Sequence, residues 1–150
     1  KGTAERLLQA NTIFQADGYS IKIWDAYRPL SVQRLLWQAY PDSHYVINPD
    51  AIPATAGWKA RHNNGMAVDM TLVDANGNEL LMPSGFDDFS EKGAPDYPGM
   101  SEEARRNVQY LISVMESAGF RTPPNEWWHF SDVMGTPTPY LDIPLEAFLD

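Results

Sequence analysis

The chain has three histidines, and two of them stand near carboxylates: His62 has Asp69 seven residues after it, and His129 has Glu126 three residues before it. Two imidazoles and one carboxylate make a common catalytic zinc set, with Zn–N distances of ~2.0–2.1 Å and a fourth tetrahedral position left for water. If His62, Asp69 and His129 converge on one side of a sheet, a zinc ion held there brings the pKa of its water down to roughly 7 and readies it to attack a carbonyl. Glu126 is then the candidate general base. Residues three apart on a regular strand point to opposite faces, so Glu126 and His129 can share a site only across a bulge or turn. Pro123-Pro124-Asn125 offers such a bend. Arg28, between a strand end and a helix start, would set a permanent cation where the carbonyl oxygen gathers negative charge.

Each of these residues also has an ordinary structural reading. A histidine beside Trp and Phe can be a hydrogen-bonded structural residue, Asp69 can cap a turn or pair with Arg61, and Arg28 can sit in a plain salt bridge. Trp127 and Trp128 suit the core or a pocket wall. His44, in a Pro-flanked loop, competes as third ligand if Asp69 is structural.

The composition narrows the chemistry. With 150 residues, 43% of them apolar, the chain reads as one globular domain over residues 1–150. A domain of this length buries roughly 68–70% of the surface its unfolded chain exposes, so a metal would serve function rather than folding. There is no cysteine, which excludes disulfides, thiolate nucleophiles and Cys-based metal sites. Eleven Lys and Arg stand against 20 Asp and Glu, a net charge of −9. No basic cluster is present to displace counterions from nucleic acid. The longest stretch without formal charge, Leu7 to Ala16, is too short to span a bilayer, so no membrane insertion is expected. Compartment, cytoplasmic or cell-envelope, and oligomeric state are left open.

The elements that must position these residues are a mixture of helices and strands. Ala4, Leu7, Leu8, Asn11 and Phe14 have helical spacing up to the Asp17-Gly18 stop, and Tyr19 to Asp25 alternates like a strand. Val32, Leu35, Leu36 and Ala39 give a second helix ending at Pro41. Residues 41–61 form a long loop, with room for a short hairpin, and lead to a turn at His62-Asn63-Asn64-Gly65. Met66 to Leu72 alternates, which turns Asp69 away from the row Met66, Val68, Met70 and Leu72. Asp74 to Gly77 is a turn, and residues 82–100 form another long loop. Ser101 caps a third helix with the buried stripe Val108, Leu111, Ile112 and Met115, which Gly119 ends. Glu126 to Phe130 reads as an aromatic strand, and the Pro-rich tail after Gly135 wraps the surface. The expected fold is α+β, with helices packed on a mostly antiparallel sheet that carries the zinc site.

Three ordered motifs, Trp24-Asp25-Ala26-Tyr27-Arg28-Pro29, Arg61 to Asp69 and Glu126-Trp127-Trp128-His129, resemble those of the zinc D-alanyl-D-alanine dipeptidases of the VanX type. That family shares one zinc fold with bacterial D-Ala-D-Ala carboxypeptidases and the Hedgehog signalling domain, and the resemblance runs from about Leu7 to Ile143. It implies that His62, Asp69 and His129 hold one Zn²⁺, that Glu126 is the general base and that Arg28 stabilises the tetrahedral intermediate. Phe86-Asp87 is similar to the family segment whose acid meets the free amino terminus of the dipeptide, which makes Asp87 the substrate-binding candidate. An acid in that role favours a dipeptide over a longer peptide, which has an amide there.

Two departures accompany the resemblance. The family commonly has Ser two residues before the first histidine, where this chain has Ala60. It also has a further N-terminal segment over part of the site, which is expected to be missing here. The implied activity is hydrolysis of D-Ala-D-Ala. Two other readings use the same motifs: a D,D- or L,D-carboxypeptidase acting on longer wall peptides, and a zinc-stabilised binding module without turnover.

Overall fold

The structure, a computed structural model, describes residues 2–51, 61–136 and 138–149. Among the described residues three α-helices and four strands follow one another: α1 (Gly2–Ala16), β1 (Ser20–Asp25), α2 (Leu30–Ala39), β2 (Ala67–Val73), α3 (Glu102–Ser117), β3 (Phe120–Arg121) and β4 (His129–Asp132). The strands form one antiparallel sheet in the order β1-β2-β4-β3. This is the α+β architecture the sequence led us to expect.

Alternation along β2 divides the sheet into two faces. Val68, Met70 and Leu72 turn to one side and join Phe130 of β4, Ala10 and Phe14 of α1, and Val108, Leu111 and Met115 of α3 in the core. Ala67, Asp69 and Thr71 turn the other way and are buried as well. The strand is therefore covered on both sides, and a carboxylate is buried on the face opposite the apolar core.

Capping follows local chemistry. Ser101 Oγ accepts the Ala104 amide at 3.1 Å, satisfying a free donor at the start of α3. Gly119 at φ +90° closes the helix in a left-handed turn that a β-carbon would disfavour.

One expectation needs correction. Glu126 to Trp128 is a turn, and the strand starts only at His129. Trp127 and Trp128 are both buried, an arrangement a one-sided alternating strand cannot supply, and the His129 amide closes the turn on the Glu126 carbonyl at 3.2 Å. The second helix is present as α2, with Val32, Leu35 and Leu36 exposed and Gln33 taken inside. In the 41–61 loop the described residues hold a 3-10 turn at Pro49–Ala51, with no hairpin among them. Residues 52–60, and with them Ala60, lie outside the described residues.

The tail wraps the surface as expected and also clasps it. Leu141 accepts the Leu30 amide at 3.0 Å and donates to the Asn63 carbonyl at 2.8 Å, while Asp142 Oδ1 takes the Ser31 amide. The far end of the chain thus holds the start of α2 beside the His62 turn. No helix among the described residues is long and apolar enough to cross a membrane.

Candidate active site

Sheet register brings the expected ligands together. Asp69 on β2 faces His129 on β4, and cross-strand partners share a face. His62 arrives from the 3-10 turn Arg61–Asn64 immediately before β2. Three donor atoms meet: Asp69 Oδ1 lies 2.9 Å from His129 Nδ1 and 3.3 Å from His62 Nε2, and the two ring nitrogens are 3.1 Å apart. All three side chains are largely buried.

The outer contacts fix which nitrogen points inward. His62 Nδ1 donates to the Ala26 carbonyl at 2.8 Å, so its Nε2 offers a lone pair to the centre. Ser131 Oγ lies 3.0 Å from His129 Nε2 and can accept that nitrogen's proton, which leaves Nδ1 facing inward. Two lone pairs and a carboxylate pointed at one another repel unless a cation lies between them. The edges of a tetrahedron with ~2.0–2.1 Å bonds are about 3.3–3.4 Å, so the donor set has the spacing and chemistry of a zinc site. Burial alone would push the Asp69 carboxyl up, but the facing imidazoles outweigh it and hold Asp69 below its ordinary value.

Around this centre stand the other expected residues. Glu126 Oε2 lies 3.9 Å from His129 Nδ1, beside the donor set and not within it. The turn at 126–128 lets two residues three apart share one site. Burial drives the Glu126 carboxyl up to about 7, with Asp69 and Asp87 acting in the same sense against the pull of His129 and Arg28. Arg28 Nη2 lies 3.9 Å from Asp69 Oδ2. Asp25 Oδ2 takes Arg28 Nε at 2.8 Å and Nη2 at 2.5 Å, and Gln33 Oε1 takes Nη1 at 2.8 Å. Gln33 in turn donates to the Ile47 carbonyl, which explains why α2 buries a polar residue.

Asp87 sits in the 82–100 loop at φ +58°, a left-handed conformation uncommon for a residue with a side chain. Its neighbour Phe86 stacks on Trp24 at 4.6 Å, which anchors the loop to β1. Burial raises the Asp87 carboxyl, the Asp69 charge adds to this, and Arg28 opposes it. Arg28, His62, Asp69, Asp87, Glu126 and His129 all line one cavity of about 560 Å³. His44 lines its rim, exposed and paired with Asp42 at 2.9 Å, apart from the donor set.

Sequence reasoning missed Asp25, Gln33 and Ser131 as partners of the site. Asp25 stands in the Trp24–Pro29 motif, three residues before Arg28, which was a signal for that pair. Nothing in periodicity pointed to the other two.

A buried pair of imidazoles with a carboxylate, flanked by a free carboxyl group and a clamped arginine, is the equipment of a metal-dependent hydrolase. The family model and the sequence relatives agree. The peptidase M15 family model, described as D-Ala-D-Ala dipeptidase, matches residues 1–145. The D-alanyl-D-alanine dipeptidase of Escherichia coli K12 is 36% identical over 149 residues, covering 99% of this chain and 74% of that protein. The enzyme of the same name from Enterococcus faecium is 32% identical over 157 residues, covering 95% and 77%. A solved structure of a vancomycin-resistance D,D-pentapeptidase variant in complex with Zn(II) covers 87% of this chain and 70% of its own, at 17% identity and a TM-score of 0.49. The chain belongs to the D-Ala-D-Ala dipeptidase family of M15 peptidases.

Proposed function

We propose that this chain is a zinc-dependent dipeptidase that hydrolyses D-Ala-D-Ala, with His62, Asp69 and His129 as metal ligands. The observation that carries the reading is the convergence of the three donor atoms within 3.3 Å of one another, with a protonatable Glu126 at their edge. Zinc bound there supplies Lewis acidity, polarising the peptide carbonyl and making water nucleophilic near neutral pH.

The remaining work falls to the chain's own groups. Glu126 Oε2 takes the proton of the attacking water and passes it to the leaving amine. A carboxyl raised to about 7 can both accept and release a proton near neutral pH. The Arg28 guanidinium, held by Asp25 and Gln33, meets the negative charge that grows on the carbonyl oxygen with little reorganisation. Asp87 pairs with the ammonium group of the substrate, and an extended peptide has no such group to offer. The family and the names of the relatives support D-Ala-D-Ala as substrate.

The experiment is hydrolysis of D-Ala-D-Ala by zinc-loaded and chelator-treated protein, alongside Glu126→Ala. Turnover should require zinc, and the variant should keep the metal while losing about 10²–10⁴-fold in kcat. Activity that persists after complete metal removal would refute the mechanism. Faster cleavage of an N-acetylated or extended peptide would favour a carboxypeptidase.

A further inference from the structure

The proposed reaction leaves one end of its substrate without a partner. A free dipeptide is a zwitterion: Asp87 is offered to its ammonium group, while the terminal carboxylate lies one residue beyond the scissile carbonyl. Asp69, Asp87 and Glu126 line the cavity, and Asp25 adds to the negative field felt at Asp87. A carboxylate entering there needs a cation at its own position.

Among the described lining residues the cavity holds three arginines, Arg28, Arg61 and Arg121. Two are engaged. Arg28 gives Nε and Nη2 to Asp25 and Nη1 to Gln33, and Arg61 Nη1 donates to the Asp132 carbonyl. Arg121 is exposed, and among the described residues no carboxylate pairs with it.

Register determines which way Arg121 faces. It lies opposite Ser131 across the β3–β4 ladder, and Ser131 is two residues from His129 on the same strand. Cross-strand partners, and residues two apart, share a face, so Arg121, Ser131, His129 and Asp69 stand on one side of the sheet. Arg121 and His129 are diagonal neighbours, about 7–8 Å apart in an antiparallel ladder, a span that an extended guanidinium side chain covers.

We infer that Arg121 recognises the terminal carboxylate of the substrate, so that Asp87 and Arg121 fit the two charged ends of a free dipeptide. A planar guanidinium can take a carboxylate through two parallel hydrogen bonds, and a C-terminal extension removes that charge. Arg121 is thus a specificity-determining residue at the leaving-group end. This inference rests on the dipeptidase reading above.

The test is steady-state hydrolysis of D-Ala-D-Ala and of its C-terminal amide by zinc-loaded wild type, Arg121→Ala and Arg121→Lys. Arg121→Ala should raise KM for the free dipeptide about tenfold with kcat little changed, because a charged hydrogen bond at an exposed position is lost. Arg121→Lys should recover part of the loss. Wild type should prefer the free acid to the amide, and Arg121→Ala should lose that preference. An unchanged KM in Arg121→Ala, or an acid preference that survives the substitution, overturns the inference and leaves the dipeptidase reading standing. Wild type that cannot hydrolyse D-Ala-D-Ala with zinc bound overturns both.

Discussion

The backbone amide of Arg28 donates to the carbonyl of His62 at 3.0 Å, so the proposed oxyanion cation and a proposed metal ligand are fastened to each other through main chain. Two more bonds complete the stitch: His62 Nδ1 to the Ala26 carbonyl, and Asn63 Nδ2 to the Arg28 carbonyl, each at 2.8 Å. The turn carrying His62 and the β1–α2 connection carrying Arg28 are therefore joined by three hydrogen bonds.

Asn63, fully buried, is the side chain in that stitch that touches neither metal nor substrate in the proposed mechanism. Asn63→Ala leaves the Arg28 carbonyl without this donor and should cost about 1–3 kcal/mol of stability. It should also lower kcat, because Arg28 loses its fixed relation to His62. Urea unfolding and kcat on D-Ala-D-Ala check the two effects; a stability loss with kcat intact would make the stitch purely structural.

Gly93 joins the two loops that carry Asp87 and Glu126. Its carbonyl accepts the Trp127 amide at 2.9 Å, and a β-carbon there would lie 2.6 Å from the Asp88 carbonyl oxygen and 2.8 Å from that of Asn125. Neither backbone oxygen can yield cheaply, so Gly93→Ala should cost about 1–3 kcal/mol and reduce kcat/KM by spreading the two loops. At Gly85 an added methyl group meets nothing within 4 Å, and Gly85→Ala serves as the control. Thermal unfolding and kcat/KM should separate the two variants.

Zinc should stabilise the folded chain by mass action, about 2.7 kcal/mol at a free concentration one hundred times Kd. His62→Ala and His129→Ala should abolish most of the zinc-dependent rise in Tm. His44→Ala should keep it, since His44 pairs with Asp42 at the cavity rim. A thermal-shift titration in chelated buffer distinguishes the ligand sets, and loss of the shift in His44→Ala would count against the one described.

Asp132 sets an acid limit on stability. Burial alone would push its carboxyl up, but Arg6, Thr3 and the amides of Met134 and Gly135 donate to it and hold it below its ordinary value. A depressed folded pKa stabilises above the unfolded value of about 3.9, and that contribution is lost as pH falls through the folded value. Asp132→Asn should therefore be less stable than wild type at pH 7, by roughly 3–5 kcal/mol for a broken buried pair. The gap should narrow below about pH 4 as the wild-type carboxylate takes up its proton. Denaturant unfolding at pH 7 and pH 3 measures both; a gap that stays constant would contradict the linkage.

Much of this site was legible before any coordinates, for identifiable reasons. Alternation along Met66 to Leu72 turned Asp69 away from the apolar row, and the structure has that orientation. The need for a bend between Glu126 and His129 followed from strand geometry, and a turn is there. Apolar spacing identified α2 as a helix and carried no information on which of its residues are buried. Leu35 recurs correctly for a helix yet is 63% exposed, while Gln33 is 3% exposed because Arg28 and the Ile47 carbonyl satisfy its amide. A buried polar residue is chosen by partners distant in sequence, which periodicity does not register. β3 has two residues, too few for any period to emerge, and Arg121 with its face toward the cavity went unread for that reason.

The bonds that Leu141 makes to Leu30 and Asn63 bear on how the enzyme is born. A ribosome working from the amino end delivers both proposed histidine ligands before it delivers Leu141, whose amide fastens the carbonyl of Asn63 beside the first of them. A nascent chain stalled short of Leu141 would accordingly carry the proposed ligands without that latch.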